Sequence, residues 1–117
     1  MDLDTIQRRL REFAAERDWD QYHSPKNLSM ALSVEAAELM EIFQWVGTEE
    51  SLRVVNHPNK MAELEAELAD VMIYAIRLAD ITGIDLEESI NRIYDILKGF
   101  MFALSHLDSD QTLTYLH

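Results

Sequence analysis

Two pairs of carboxylates are spaced to act together. Glu35 and Glu38 lie three residues apart, as do Glu67 and Asp70, with Glu63 a turn ahead of the second pair and Tyr74 a turn behind it. On a helix, about 100° per residue puts the members of each pair on one face. Ile42 and Trp45 continue the first stripe over the next two turns. An antiparallel packing of the two helices would set E-x-x-E against E-x-x-D and gather four carboxylates in one pocket. Such charges repel one another unless a hard cation joins them, and an all-oxygen set suits Mg²⁺, as two or three ions once a substrate is bound. Either pair alone is ordinary, since Glu favours helices and E-x-x-E is common on solvated faces. These pairs instead sit among apolar residues, in Val34–Leu39 and Leu64–Val71, and their stripes end in Trp45 and Tyr74. Helical di-iron sites need E-x-x-H. The histidines at 23, 57, 106 and 117 do not supply it, and the single acid at the right spacing, Asp20 ahead of His23, falls in a loop.

The elements that must position these groups read as helices. Leu3, Ile6, Leu10 and Phe13 recur at steps of three and four, predicting a helix from Asp2 to Arg17. The stretch from Asp18 to Asn27 breaks the period at Pro25, so a loop is expected there, with Ser24 or Asn27 capping the next helix. That second helix is expected over Leu28 to Val46, stopped by Gly47, and then a polar connection with a short helical turn at Leu52 to Val55. A third helix runs over Lys60 to Thr82 with Gly83 at its end, and a fourth from Asp85 to Leu104. The fourth carries Leu86, Ile90, Ile93, Leu97, Phe100 and Leu104 in alternating steps of four and three, which suits either a buried central helix or a subunit interface. Gly99 inside it suggests a bend or a close helix approach. The expected architecture is all-α, a four-helix-bundle-like oligomer, with one domain over residues 1–105 and a C-terminal tail or swapped arm over 106–117.

Composition narrows the function further. The chain has 117 residues, 48% of them apolar, enough for one cored domain, while 3 Gly and 2 Pro are too few to turn the corners of a β-sandwich. A net charge of −12 opposes binding to a nucleic-acid polymer. The absence of Cys excludes disulfides, thiolate zinc sites and thiol nucleophiles. The longest apolar run, Val71 to Ile76, is far too short to span a membrane, and charged residues occupy the place of a signal peptide, so a cytoplasmic location is expected.

At this point the residues resemble a family. The segment from Glu12 to Trp45, with R-D-W at 17–19, H-S-P-K-N at 23–27, E-x-x-E at 35–38 and F-Q-W at 43–45, is joined by E-L-A-D-V-M-I-Y at 67–74. Together they resemble the MazG-like all-α nucleoside triphosphate pyrophosphatases, most nearly the dCTP pyrophosphatase branch. The resemblance implies Mg²⁺-dependent hydrolysis of a nucleoside triphosphate between its α and β phosphates, giving a monophosphate and pyrophosphate. It also implies a homo-oligomer, usually a dimer of dimers, with the active site near subunit interfaces.

Carried over by position, Glu35, Glu38, Glu67 and Asp70 would be the Mg²⁺ ligands. Trp19, Trp45 and Tyr74 match aromatic positions around base and sugar, and His23, Lys26 and Asn27 match the loop near the nucleotide. Glu38 is assigned the further catalytic role of orienting or deprotonating the attacking water. For the aromatic residues the plain alternative is core packing, and for His23 a loop position without a role. The chain departs from the pattern where many relatives carry a Lys, an Asn and a Lys-Tyr-Pro run after the third helix; here residues 91–102 read NRIYDILKGFMF, leaving Lys60, Arg92 and Lys98 as candidate phosphate cations beside Lys26. Leu10 stands where the dCTP branch has His. Two other functions fit the same residues: a non-catalytic acidic helical module that binds partner helices, and a related Mg²⁺ phosphohydrolase acting on dUTP or a phosphoribosyl-nucleotide.

Overall fold

The computed structural model describes residues 1–106, and among these every regular element is helical. The all-α class expected from the spacing is the class observed. Residues 107–117, which hold nearly all of the expected tail or swapped arm, lie outside the described residues. The chain forms two compact units, Met1–Gly83 and a second that begins at Ile84. No helix among the described residues is long and apolar enough to cross a membrane.

The first unit is built on three long helices. Asp2 caps α1 (Leu3–Glu16), its Oδ1 accepting the Thr5 N–H at 3.1 Å. The helix ends in a Schellman turn: Trp19 N–H reaches back to the Ala14 carbonyl at 2.9 Å and Asp18 N–H to Ala15 at 3.2 Å. That turn needs a left-handed residue, and Asp18 supplies it at φ 56 where Gly is commoner. A 3₁₀ turn at Asp20–Tyr22 comes next.

Ser24 then caps α2 (Pro25–Glu41), its Oγ accepting the Asn27 N–H at 3.1 Å. The helix starts three residues ahead of the expected Leu28, because Pro at the first helical position gives up an N–H that had no intrahelical partner anyway. It also stops at Glu41 and not at Val46. Residues 42–45 tighten into turns, with Phe43 N–H on the Met40 carbonyl at 2.9 Å and Val46 N–H on Phe43 at 3.0 Å. Gly47 is therefore not the stop of this helix but the N-terminal flank of a short α3 (Thr48–Ser51), with an ordinary φ of −67. A 3₁₀ stretch at Leu52–Asn56 matches the expected helical turn.

The longest helix, α4 (Pro58–Thr82), again opens on a proline and closes at Gly83 in the left-handed region, φ 73. Its 25 residues span about 37 Å at ~1.5 Å each. It packs against α2 and against α1, which it meets through Arg11 and Asp80. Glu35 in the middle of α2 stands by Glu67 in the middle of α4, while His23, ahead of α2, meets Arg77 late in α4. The two helices therefore run antiparallel, as the motif pairing required. The core of this unit lies where Ala14, Leu28, Ile76 and Ala79 are buried.

In the second unit, Asp85 caps α5 (Leu86–Leu104) through its Oδ1 and the Glu88 N–H at 3.0 Å. A methyl placed at Gly99 meets nothing within 4 Å, so among the described residues none makes the close approach that is one of the two readings of this glycine.

Candidate active site

The acidic pairs meet. Glu35, Glu38 and Glu67 each bring one carboxylate oxygen within 4.8 Å of the other two. Glu35 Oε2 and Glu67 Oε2 are buried and have no hydrogen-bond partner among the described residues. A buried polar atom left without a partner costs about 1 to 3 kcal/mol, more if charged. The repulsion is visible in the acidities. The Glu35 carboxyl is pushed above the usual carboxylate range, first by the adjacent Glu67 carboxyl, with which only a protonated Glu35 could share a proton, then by burial. Glu38 is pushed up chiefly by the charge of Glu35. A cation at the three oxygens would satisfy the orphaned atoms and remove the repulsion, so these residues fit a metal ion. Asp70 is not a member of that tight trio, but its charge also raises Glu35 and it lines the same cavity.

That cavity, about 600 Å³, opens between α1, the turn after it, and α4. Glu35 and Asp70 stand in its wall with Tyr74, Trp19 and His23. The Schellman turn aims Trp19, whose ring meets Phe13 edge-on at 5.4 Å, and the Arg17 guanidinium lies 3.4 Å over the Phe13 ring. Asp18 is thus where backbone conformation sets the position of a cavity wall. Asp18→Gly, which removes the Cβ from a left-handed residue, should leave the melting temperature unchanged or higher, while Asp18→Ala should cost ~1 kcal/mol in denaturant titrations. Equal losses in both would mean that the Asp18 carboxylate, which accepts from Gln21 Nε2 at 3.1 Å, matters more than the turn.

Not every residue expected from the sequence lines this cavity. Asn27 gives its side-chain N–H to the Tyr22 carbonyl at 2.9 Å and so closes the loop ahead of α2. Lys26 is exposed with no ion-pair partner among the described residues, and Trp45, in the turn after α2, is 90% exposed. Neither is part of the lining.

Other residues line it that spacing alone did not single out. Arg77 continues the Glu67–Asp70–Tyr74 stripe at the next step of three, a signal that extending the stripe by one turn would have found. Its side chain is only 7% exposed, paired with Asp20 at 2.7 Å and with Asp80 at 3.4 Å. Arg9 also lines the cavity and has no ion-pair partner among the described residues. Ile6, Leu10 and Phe13, read from the sequence as one face of a helix, form the apolar part of the same wall.

An all-α chain whose two antiparallel helices present E-x-x-E against E-x-x-D belongs to the MazG-like family, whose model matches residues 30–99. Within that family it is similar to dCTP pyrophosphatase 1 of Homo sapiens, 44% identical over 94 residues that make up 80% of this chain and 55% of that one. It is equally similar to dCTP pyrophosphatase 1 of Bos taurus, 44% identical over 88 residues, 75% of this chain and 52% of that one. The chain spans about half the length of the curated relatives it matches. Among solved structures it resembles a pyrophosphatase from Archaeoglobus fulgidus DSM 4304, with a TM-score of 0.77 and 37% identity, covering 84% of this chain and 90% of that one.

Proposed function

We propose that this chain hydrolyses nucleoside triphosphates to the monophosphate and pyrophosphate in a Mg²⁺-dependent reaction, with dCTP the preferred substrate, as a house-cleaning activity on the nucleotide pool. The observation that carries this reading is the pair of partnerless buried oxygens on Glu35 and Glu67, which adjoin Glu38 and an aromatic-walled cavity of about 600 Å³. The named dCTP pyrophosphatases among its relatives support the substrate.

In this reading Glu35, Glu38, Glu67 and Asp70 hold Mg²⁺. When bound, the ion supplies the positive charge that an acidic chain lacks for the phosphates and lowers the pKa of the attacking water. Glu38 is the exposed member of the trio, placed to orient or deprotonate that water for in-line attack on the α-phosphorus. Trp19 and Tyr74 flank the base, and His23, Lys26 and Asn27 form the loop beside the nucleotide. Arg9 joins Lys26 as a cation for the phosphates. Trp45 closes over the substrate or is covered by a second copy of the chain.

A panel of nucleotides incubated with Mg²⁺ and resolved by ion exchange tests the reaction. Monophosphate and pyrophosphate should appear in equal amounts. Orthophosphate with a diphosphate would put the attack on the terminal phosphorus, and no turnover would favour an acidic interaction module.

The reading includes a homo-oligomer, a dimer of dimers. It is supported by Met30, Val34 and Met40 of α2 and Leu68 and Met72 of α4, apolar side chains that the single chain leaves exposed. Light scattering at micromolar concentration should give a dimer or tetramer. A monomer of 13.6 kDa would overturn this part.

A further inference from the structure

Arg77 holds together groups that are far apart in the sequence. Its Nη2 donates to Asp20 Oδ1 at 2.7 Å, its Nη1 to Asp80 Oδ2 at 3.4 Å and its Nε to His23 Nδ1 at 3.2 Å. Asp80 is held in turn by Arg11, whose Nε and Nη2 donate to it at 3.0 and 2.8 Å. A guanidinium has only donors, so whatever atom faces its Nε must accept. His23 Nδ1 therefore carries the lone pair, and the ring proton sits on Nε2. Burial and the Arg77 charge both hold the His23 pKa below its ordinary value, which keeps the ring neutral. His23 lines the cavity, and its Nε2 has no partner among the described residues.

We propose that Arg77 is a positioning residue that locks His23 in the Nε2–H tautomer, so that the cavity offers one directional hydrogen-bond donor to an acceptor on the substrate's base. This rests on the pyrophosphatase reading for the identity of the substrate but not for the tautomer. Cytosine carries acceptors at O2 and N3, whereas uracil and thymine have a donor at N3. A fixed donor opposite N3 favours cytosine, because the N3–H of uracil or thymine would meet it donor to donor, and a site built to hydrogen-bond a group rejects an analogue that leaves it unpaired.

Two-bond ¹H–¹⁵N spectra of the wild-type chain at pH 7, with His23→Gln to assign its ring signals, read the tautomer directly. Nε2 should be protonated and Nδ1 bare. A protonated Nδ1, or an imidazolium, would overturn the lock. Arg77→Lys should release the ring to a mixture of tautomers and raise KM for dCTP about tenfold relative to dUTP, with kcat changed less than about threefold. Asp20→Asn, which spares Arg77 itself, should do the same more weakly. Adding dCTP with Ca²⁺ in place of Mg²⁺ should shift the Nε2 proton. If dCTP binds, as tryptophan emission reports, and that proton does not move, base reading by His23 is wrong. A chain that cleaves no nucleoside triphosphate overturns the pyrophosphatase reading and base recognition with it, while the lock stands or falls on the wild-type spectrum.

Discussion

Glu38→Gln and Asp70→Asn should each lower kcat for dCTP by at least about a hundredfold, the range seen when a group that supports a metal or a developing charge is removed. The same variants should leave the metal-free protein as stable as the parent or slightly firmer. Glu38 is raised by the charge of Glu35, and Asp70 contributes to raising Glu35, so removing either charge relieves a repulsion. Mg²⁺ should stabilise the parent by about 2.7 kcal/mol at a hundredfold excess over Kd, if it binds only the folded site. In both variants that gain should shrink. Calorimetry with and without Mg²⁺, beside a pyrophosphate assay, separates the two effects. Near-normal turnover in both variants would move the metal site elsewhere.

The second large effect belongs to stability. Asp80→Ala should lower stability by about 3 kcal/mol, because it removes one of the two carboxylates paired with a buried Arg77 and leaves that charge undercompensated. For a unit of this size the melting temperature should fall by roughly 12 to 24 °C. Asp80 is 15% exposed on its side chain, so solvent screens the pair little. The hydrogen bonds from Arg11 hold its carboxyl below the usual carboxylate value. The unfolded chain, with an ordinary value, takes up the proton first as the pH falls. The stabilisation is therefore full above the ordinary carboxylate value and is lost as the pH drops through the lower, folded one. Asp80→Asn should flatten that part of the acid unfolding curve. A loss below about 0.5 kcal/mol in Asp80→Ala would mean that Asp20 alone satisfies Arg77.

How much of this is legible in the sequence depends on range. The helices and the meeting of Glu35 with Glu67 follow from spacing alone, since a period of 3.6 fixes a face and antiparallel neighbours fix the pairing. Spacing misplaces the starts of α2 and α4 at Pro25 and Pro58, because a residue that forbids the middle of a helix is welcome at its first position. Gly47 misleads in the opposite sense: its usual role as a helix stop requires a left-handed φ, which it does not adopt. Ile6, Leu10 and Phe13 read equally well as core or as pocket wall, because an apolar stripe does not record what it faces. Arg77 lies one step further along the acidic stripe, but what it holds is invisible for another reason. Its partners Asp20 and His23 lie 57 and 54 residues away, and only the folded chain brings them together.

Asp70 and Arg77 share one uninterrupted helix, and the seven-residue step from one to the other amounts to about 10 Å along its axis and nearly two full turns. The helix pitch therefore acts as a ruler that sets the distance from the carboxylate end of the cavity to the His23 end. One residue inserted between them would swing Arg77 by ~100° and advance it by ~1.5 Å, parting it from both Asp20 and His23 while the acidic trio stayed intact. Length changes in this stretch of α4 should thus be excluded from working variants. The turns at 42–47, which carry no such fixed spacing, are where insertions can be absorbed.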